Sequence, residues 1–87
     1  MKLAVYETFV KKHNGSVMHF DILVPNSMVD LDQIYRYGRE YLKLKGQGGR
    51  PLSGNECRFC HTMEMPGTAL QEIKAKGHHI VEIEGCN

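Results

Sequence analysis

The chain has 87 residues, 41% of them hydrophobic and 24% charged, with a formal net charge of +1. A single domain of this size buries only about 60–65% of its extended surface, so it folds alone with little margin and benefits from a staple. The near-neutral balance supplies no field for nucleic acid or for an anionic membrane, so neither is expected as a partner. A protein partner and the oligomeric state stay open.

The opening stretch, "MKLAVYETFVKK", alternates apolar and polar residues, and Glu7 interrupts it. It lacks the apolar run and small-residue cleavage site of a secretory leader. No segment approaches the ~20 apolar residues needed to cross a bilayer. The expected compartment is the cytoplasm, where thiols stay reduced. Three cysteines, an odd number, also argue against a closed disulfide framework.

Residues 2–10 read as a strand, with Leu3, Val5 and Phe9 on one face and Ala4, Tyr6, Thr8 and Val10 on the other. Asn14-Gly15 is the signal for a two-residue type I′ hairpin turn. The returning strand, 16–24, puts Met18, Phe20, Ile22 and Val24 on one face. Val17, His19, Asp21 and Leu23 form the other, and Pro25 ends the hairpin.

A helix follows. Asp30 suits its N-cap and Gln33 completes a capping-box pattern. Leu31, Ile34, Tyr35, Gly38, Tyr41 and Leu42 share a stripe, Asp32–Arg36 and Arg36–Glu40 have i,i+4 spacing, and Gly46 is the stop. The segment 46–55, "GQGGRPLSGN", has four glycines in ten residues and reads as a flexible connector. It lacks the Gly-Lys-Ser/Thr ending of a phosphate loop.

Residues 56–61 read as a brief strand running into a turn. Pro66 suits the first position of a second helix, with Ala69, Leu70 and Ile73 as its buried stripe and Gly77 as its end. Residues 78–84 form the last strand. The order β-β-α-β-α-β predicts an α+β fold in a single domain over 1–87: a two-layer sandwich whose mixed sheet carries both helices on one face.

"CRFCH", Cys57 to His61, concentrates the chemistry. Cys-x-x-Cys is half of many zinc sites, and Cys86, His61 and His19 are the best further ligands, ahead of His13, His78 and His79. In a straight strand Cys57 and Cys60 point to opposite faces, so a clamp requires a bend between them. The same spacing fits a thiol–disulfide redox pair, if a helix N-terminus lowers the first thiol's pKa. It also fits a covalent haem anchor, which needs export. Cys57 or Cys60 with His19 and Asp21 has the parts of a cysteine hydrolase, but no spacing gathers them. The bland alternative is buried, inert thiols and a hydrogen-bonded histidine.

Taken together, "VYETFV", "GSVMHFDILV", "ECRFCH", "MPGTALQEIKAKG" and "EGCN" resemble a family of small bacterial domains. That family is catalogued as a domain of unknown function, number twenty twenty-four. The resemblance spans essentially the whole chain. It implies a stand-alone α+β domain with two leading strands. It brings no activity, substrate or cofactor, and directs attention to Tyr6, Thr8, His19, Asp21, Cys57, Cys60, His61 and Cys86. The leading expectation is a non-catalytic module binding a structural or regulatory zinc-like metal through Cys57, Cys60 and Cys86 with His61 or His19. A redox pair at Cys57 and Cys60, or a metal-free interaction module, is the alternative.

Overall fold

The computed structural model describes every residue, Met1–Asn87. Strands β1 (Lys2–Lys11) and β2 (Val17–Pro25) pair antiparallel from Leu3 opposite Pro25 to Lys11 opposite Val17. The expected hairpin is present, but its turn is of another type. Lys12 N–H donates to Ser16 O at 2.7 Å and Gly15 N–H donates to Lys12 O at 3.0 Å. Only Gly15 has a positive φ, +89°, whereas a type I′ turn needs Asn14 there as well. The result is a type I turn closed by a left-handed glycine, the common three-residue loop.

Helix α1 (Leu31–Leu44) starts at Asp30, whose carboxylate accepts from Gln33 N–H at 3.3 Å. The Gln33 side chain does not close a capping box; it accepts from Arg36 instead. At the other end Gly46 takes φ +75° and Gln47 N–H donates to Leu42 O at 2.7 Å, a Schellman stop at the expected glycine. Strand β3 (Cys57–Glu64) outruns the brief strand expected and does not turn after His61. A 3-10 turn, Gly67–Ala69, leads into helix α2 (Leu70–Lys76), with Pro66 in extended backbone just before it. Strand β4 (His79–Glu84) closes the chain.

The element order is the expected one, and two features of the architecture are corrected. The sheet is not mixed: its order is β3-β1-β2-β4 and all three neighbouring pairs are antiparallel. One crossover exists, β2–α1–β3, and it steps over β1, while α2 joins the antiparallel edge strands β3 and β4 at one end of the sheet. β2 and β3 run the same way with β1 between them, so no parallel pair is in contact.

Nor do both helices share a face. Ile34, Tyr41 and Leu42 of α1 pack with Ala4, Tyr6, Val10, Met18, Phe20, Ile22 and Val24. Ala69 and Ile73, at the start and middle of the second helical segment, pack with Leu3, Val5 and Leu23. Side chains alternate along a strand, so these two sets lie on opposite faces. The sheet is the middle of three layers.

The glycine-rich connector is pinned. Leu52 is buried in the α1-side core, Arg50 donates to Lys11 O at 2.7 Å, and His13 N–H donates to the Gln47 side chain at 2.8 Å. Leu52 also fixes why α1 carries Gly38. A Cβ there would lie 2.5 Å from Leu52 Cδ1 and 3.1 Å from Ile22 Cδ1. Gly38→Ala should therefore cost on the order of 1 kcal/mol net, overpacking outweighing the better helix propensity of alanine. In a Leu52→Ala background the same substitution should become stabilising. Urea denaturation of the four-member cycle checks this change of sign.

Candidate functional site: the uncovered half of the sheet

Helix α2 is only seven residues long, and with the turn before it covers Leu3, Val5 and Leu23. Toward the hairpin end the same face presents Glu7, Phe9, His19 and Asp21, and Phe9 is 48% exposed. Cross-strand register puts Glu7 directly opposite Asp21, and Phe9 directly opposite His19. Two carboxylates facing each other on one sheet face destabilise it.

The imidazole of His19 stacks on Phe9, with ring centroids 4.1 Å apart and planes 18° from parallel. That contact aims Nε2 between the two acids, 3.4 Å from Glu7 Oε1 and 3.8 Å from Asp21 Oδ1. Nε2 is shielded from solvent and makes no hydrogen bond.

Strand β3 brings the remaining groups. Arg58 pairs with Glu7, Phe59 with Tyr6, and then His61 with Val5, so Cys60 is the extra residue of a β-bulge. The bulge places the Cys60 thiol against the Glu7 carboxylate and leaves His61 within electrostatic reach of Asp21. Lost hydration and the nearby Glu7 and Asp21 charges push the Cys60 thiol up. This is the opposite of what a thiolate nucleophile requires. Partial burial raises Asp21; Glu7 adds to the rise, while His19 and His61 oppose it.

The five expected metal ligands do not converge. Cys57 pairs with Thr8 on the α1 side, buried, and burial holds its thiol above the ordinary value although the adjacent Thr8 hydroxyl opposes the rise. Cys86 is also in the α1-side core, its thiol donating to His19 O at 3.3 Å and Glu84 O at 3.4 Å. Cys60, His61 and the His19 ring lie on the opposite face. The bulge does not bend the strand into a Cys-x-x-Cys clamp. Cys57 and Cys60 sit three strand residues apart, roughly 10 Å along the chain direction, so a disulfide between them would need the strand to break. A haem anchored through both is excluded for the same reason. No group of three or more His, Cys, Asp or Glu side chains is arranged to hold a metal ion.

Glu7 was not among the expected ligands, yet it touches both His19 and Cys60. The expected two-residue Asn14-Gly15 turn would set Glu7 opposite Ile22; only the three-residue loop that forms sets it opposite Asp21.

The model of the family described as a domain of unknown function, DUF2024, matches residues 1–83. This chain belongs to that family. The DUF2024 chain is also similar to a solved structure, the NMR structure of protein NE1680 from Nitrosomonas europaea. The two are 36% identical, each chain is covered over 100% of its length, and the TM-score is 0.85. A comparison with the curated proteins finds no match. No helix of the DUF2024 chain is long and apolar enough to cross a membrane.

The largest recess of this family member, about 690 Å³, lies along the free edge of β4. Its charged groups other than Glu40 are matched. Glu72 meets Lys76 at 2.8 Å and His79, while Glu82 meets Lys45 at 2.8 Å and accepts from the Tyr41 hydroxyl. Bonds to Lys76 and His79 lower the Glu72 pKa, and bonds to Lys45 and Tyr41 lower that of Glu82. These acids are satisfied; Glu7 and Asp21 are not.

The contrast has a pH signature. An acid whose pKa is raised by folding stabilises the fold when protonated and loses that contribution as pH rises through the raised value. Asp21→Asn should therefore stabilise the metal-free protein at neutral pH, by about 0.2–1 kcal/mol for relief of an opposed like-charge pair. The gain should vanish at acid pH, where the wild-type carboxyl is already neutral. Glu72→Gln and Glu82→Gln should do the reverse: their stabilisation is present above the ordinary glutamate range and is lost as pH falls through the lowered pKa. Thermal melts of the variants from pH 3 to 8 check both signs.

Proposed function

We propose that this domain binds a divalent, zinc-class cation on the uncovered sheet face, through His19 Nε2, Glu7 and Asp21, with Cys60 or His61 completing the set. One observation carries the reading: an unpartnered imidazole nitrogen held between two opposed carboxylates. Donors about 2.0–2.2 Å from a tetrahedral ion lie roughly 3.3–3.6 Å from one another. The His19–Glu7 separation of 3.4 Å falls in that range and the His19–Asp21 separation of 3.8 Å lies just outside it.

A cation there neutralises the repulsion between Glu7 and Asp21 and satisfies Nε2. A mixed imidazole, carboxylate and thiol set suits zinc rather than magnesium or calcium, which take oxygen ligands. The role is structural or regulatory. Ligand binding stabilises the folded state in proportion to occupancy, by about 2.7 kcal/mol at one hundred times Kd. In a domain this small that corresponds to a melting shift of more than about 10 °C. Cytoplasmic residence, with reduced thiols, is consistent with this use of Cys60.

This reading differs from a clamp built on Cys57 and Cys86 in what mutation does. Calorimetric titration with zinc should give one site per chain. His19→Gln, Glu7→Gln and Asp21→Asn should each weaken it by about 10-fold or more, as loss of a ligand bond does. Cys57→Ser and Cys86→Ser should leave zinc affinity unchanged in whatever fraction folds. Affinity that follows Cys57 and Cys86 instead, or no saturable site, would contradict the proposal.

A further inference from the structure

A second binding site is carried by charge on the opposite side of the molecule. Arg36, Arg39 and Lys43 follow one another along the solvent face of α1, and Arg50 comes from the connector packed beside them. Together they line a recess of about 540 Å³ whose only acid is Glu40. The i,i+4 pairs that the sequence offers do not form. Glu64, Glu72 and Glu82 pair with other cations, Glu7 and Asp21 face only His19, and no acid pairs with any of these four cations.

Two of the guanidinium groups are held in place by backbone. Arg39 Nη1 donates to Leu52 O at 3.1 Å, and Arg50 Nε donates to Lys11 O at 2.7 Å. Each bond uses one donor and leaves the rest of the fork free. Leu42 and Leu52, both buried, form an apolar floor beneath them.

We propose that this recess binds a small phosphorylated organic anion. Guanidinium forks match phosphate oxygens two at a time, and forks already anchored lose little freedom on binding. The volume lies within the 300–1,000 Å³ usual for small-molecule sites. The net charge of +1 leaves no long-range field along which a nucleic acid would track, so a compact ligand fits better than a polymer. The site shares no residue with the cation site, and either can fail without the other.

The test uses the full chain, labelled with nitrogen-15, in about 150 mM salt to screen diffuse attraction. Pyrophosphate, ATP and sulfate are titrated separately. Saturating shifts confined to Arg36–Lys43 and Gly49–Leu52, tighter for pyrophosphate or ATP than for sulfate, support the site. ATP binding more tightly than pyrophosphate assigns a contribution to the apolar floor; equal binding assigns recognition to the phosphates alone. The Arg36→Gln/Lys43→Gln variant changes two exposed side chains and should keep its remaining spectrum while losing about 10-fold or more in affinity. No saturating shift, unchanged affinity in that variant, or equal response to sulfate would overturn the proposal. So would a single-stranded RNA oligomer that binds tighter than pyrophosphate and perturbs a surface wider than the recess.

Discussion

Neighbouring side chains of a strand point to opposite faces, and in the β1–β2 hairpin both faces carry apolar residues that must be covered. The face of Ala4, Tyr6, Val10, Met18, Phe20, Ile22 and Val24 is apolar along its length, and the fourteen-residue helix α1 matches it. The other face is apolar only at Leu3, Val5 and Leu23, and a seven-residue helix suffices there. The placement of every other element follows. The two helices pack on opposite faces of the hairpin, and β3 and β4 dock on its opposite edges. Because β1 is inserted between β2 and β3, the one crossover, β2–α1–β3, joins strands that do not touch, and the sheet is wholly antiparallel.

The same alternation distributes the thiols. Cys57 and Cys86 fall on the fully covered side and behave as small hydrophobes with satisfied or buried S–H groups. Cys60 falls on the half-covered side among charges. A motif of two cysteines three apart therefore means something different on a strand than in a knuckle. Here it divides one residue for packing from one beside an acidic, histidine-bearing surface. The bulge at Cys60 re-aims the following residues, which brings His61 onto that surface beside Val5.

Much of this was legible in the sequence. The two-faced hairpin, the Asp30 cap, the Gly46 and Gly77 stops and the element order follow from local patterns, because hydrogen-bonded caps and left-handed glycines act within a few residues. Strand order and helix side do not, since they depend on which edges remain free after the hairpin forms. The helix side becomes readable once the register is known: Val5 lies opposite Leu23, so Leu3, Val5 and Leu23 share the face away from the main apolar stripe and require cover. The connector misled for a different reason. Its glycines conceal Leu52, a single apolar residue whose burial depends on the gap left by Gly38, a contact no local pattern reports. The site was half legible. His19, Asp21, Cys60 and His61 were identified by residue type, whereas Glu7 becomes visible only once cross-strand register is applied.

What remains on the uncovered face is a local conflict: two opposed acids, a buried nitrogen without a hydrogen bond and a bulge, within a chain where Glu64, Glu72 and Glu82 each have a cation beside them. Such conflicts persist in a marginally stable domain when a ligand resolves them. The most direct measurement is NMR of the five histidine side chains during a zinc titration of the wild-type protein. The account predicts that the His19 imidazole responds first and saturates at one equivalent, with His61 the only other ring that moves, while His13, His78 and His79 keep their metal-free positions. Early movement of His78 and His79, or a His19 ring that ignores the metal, would contradict it.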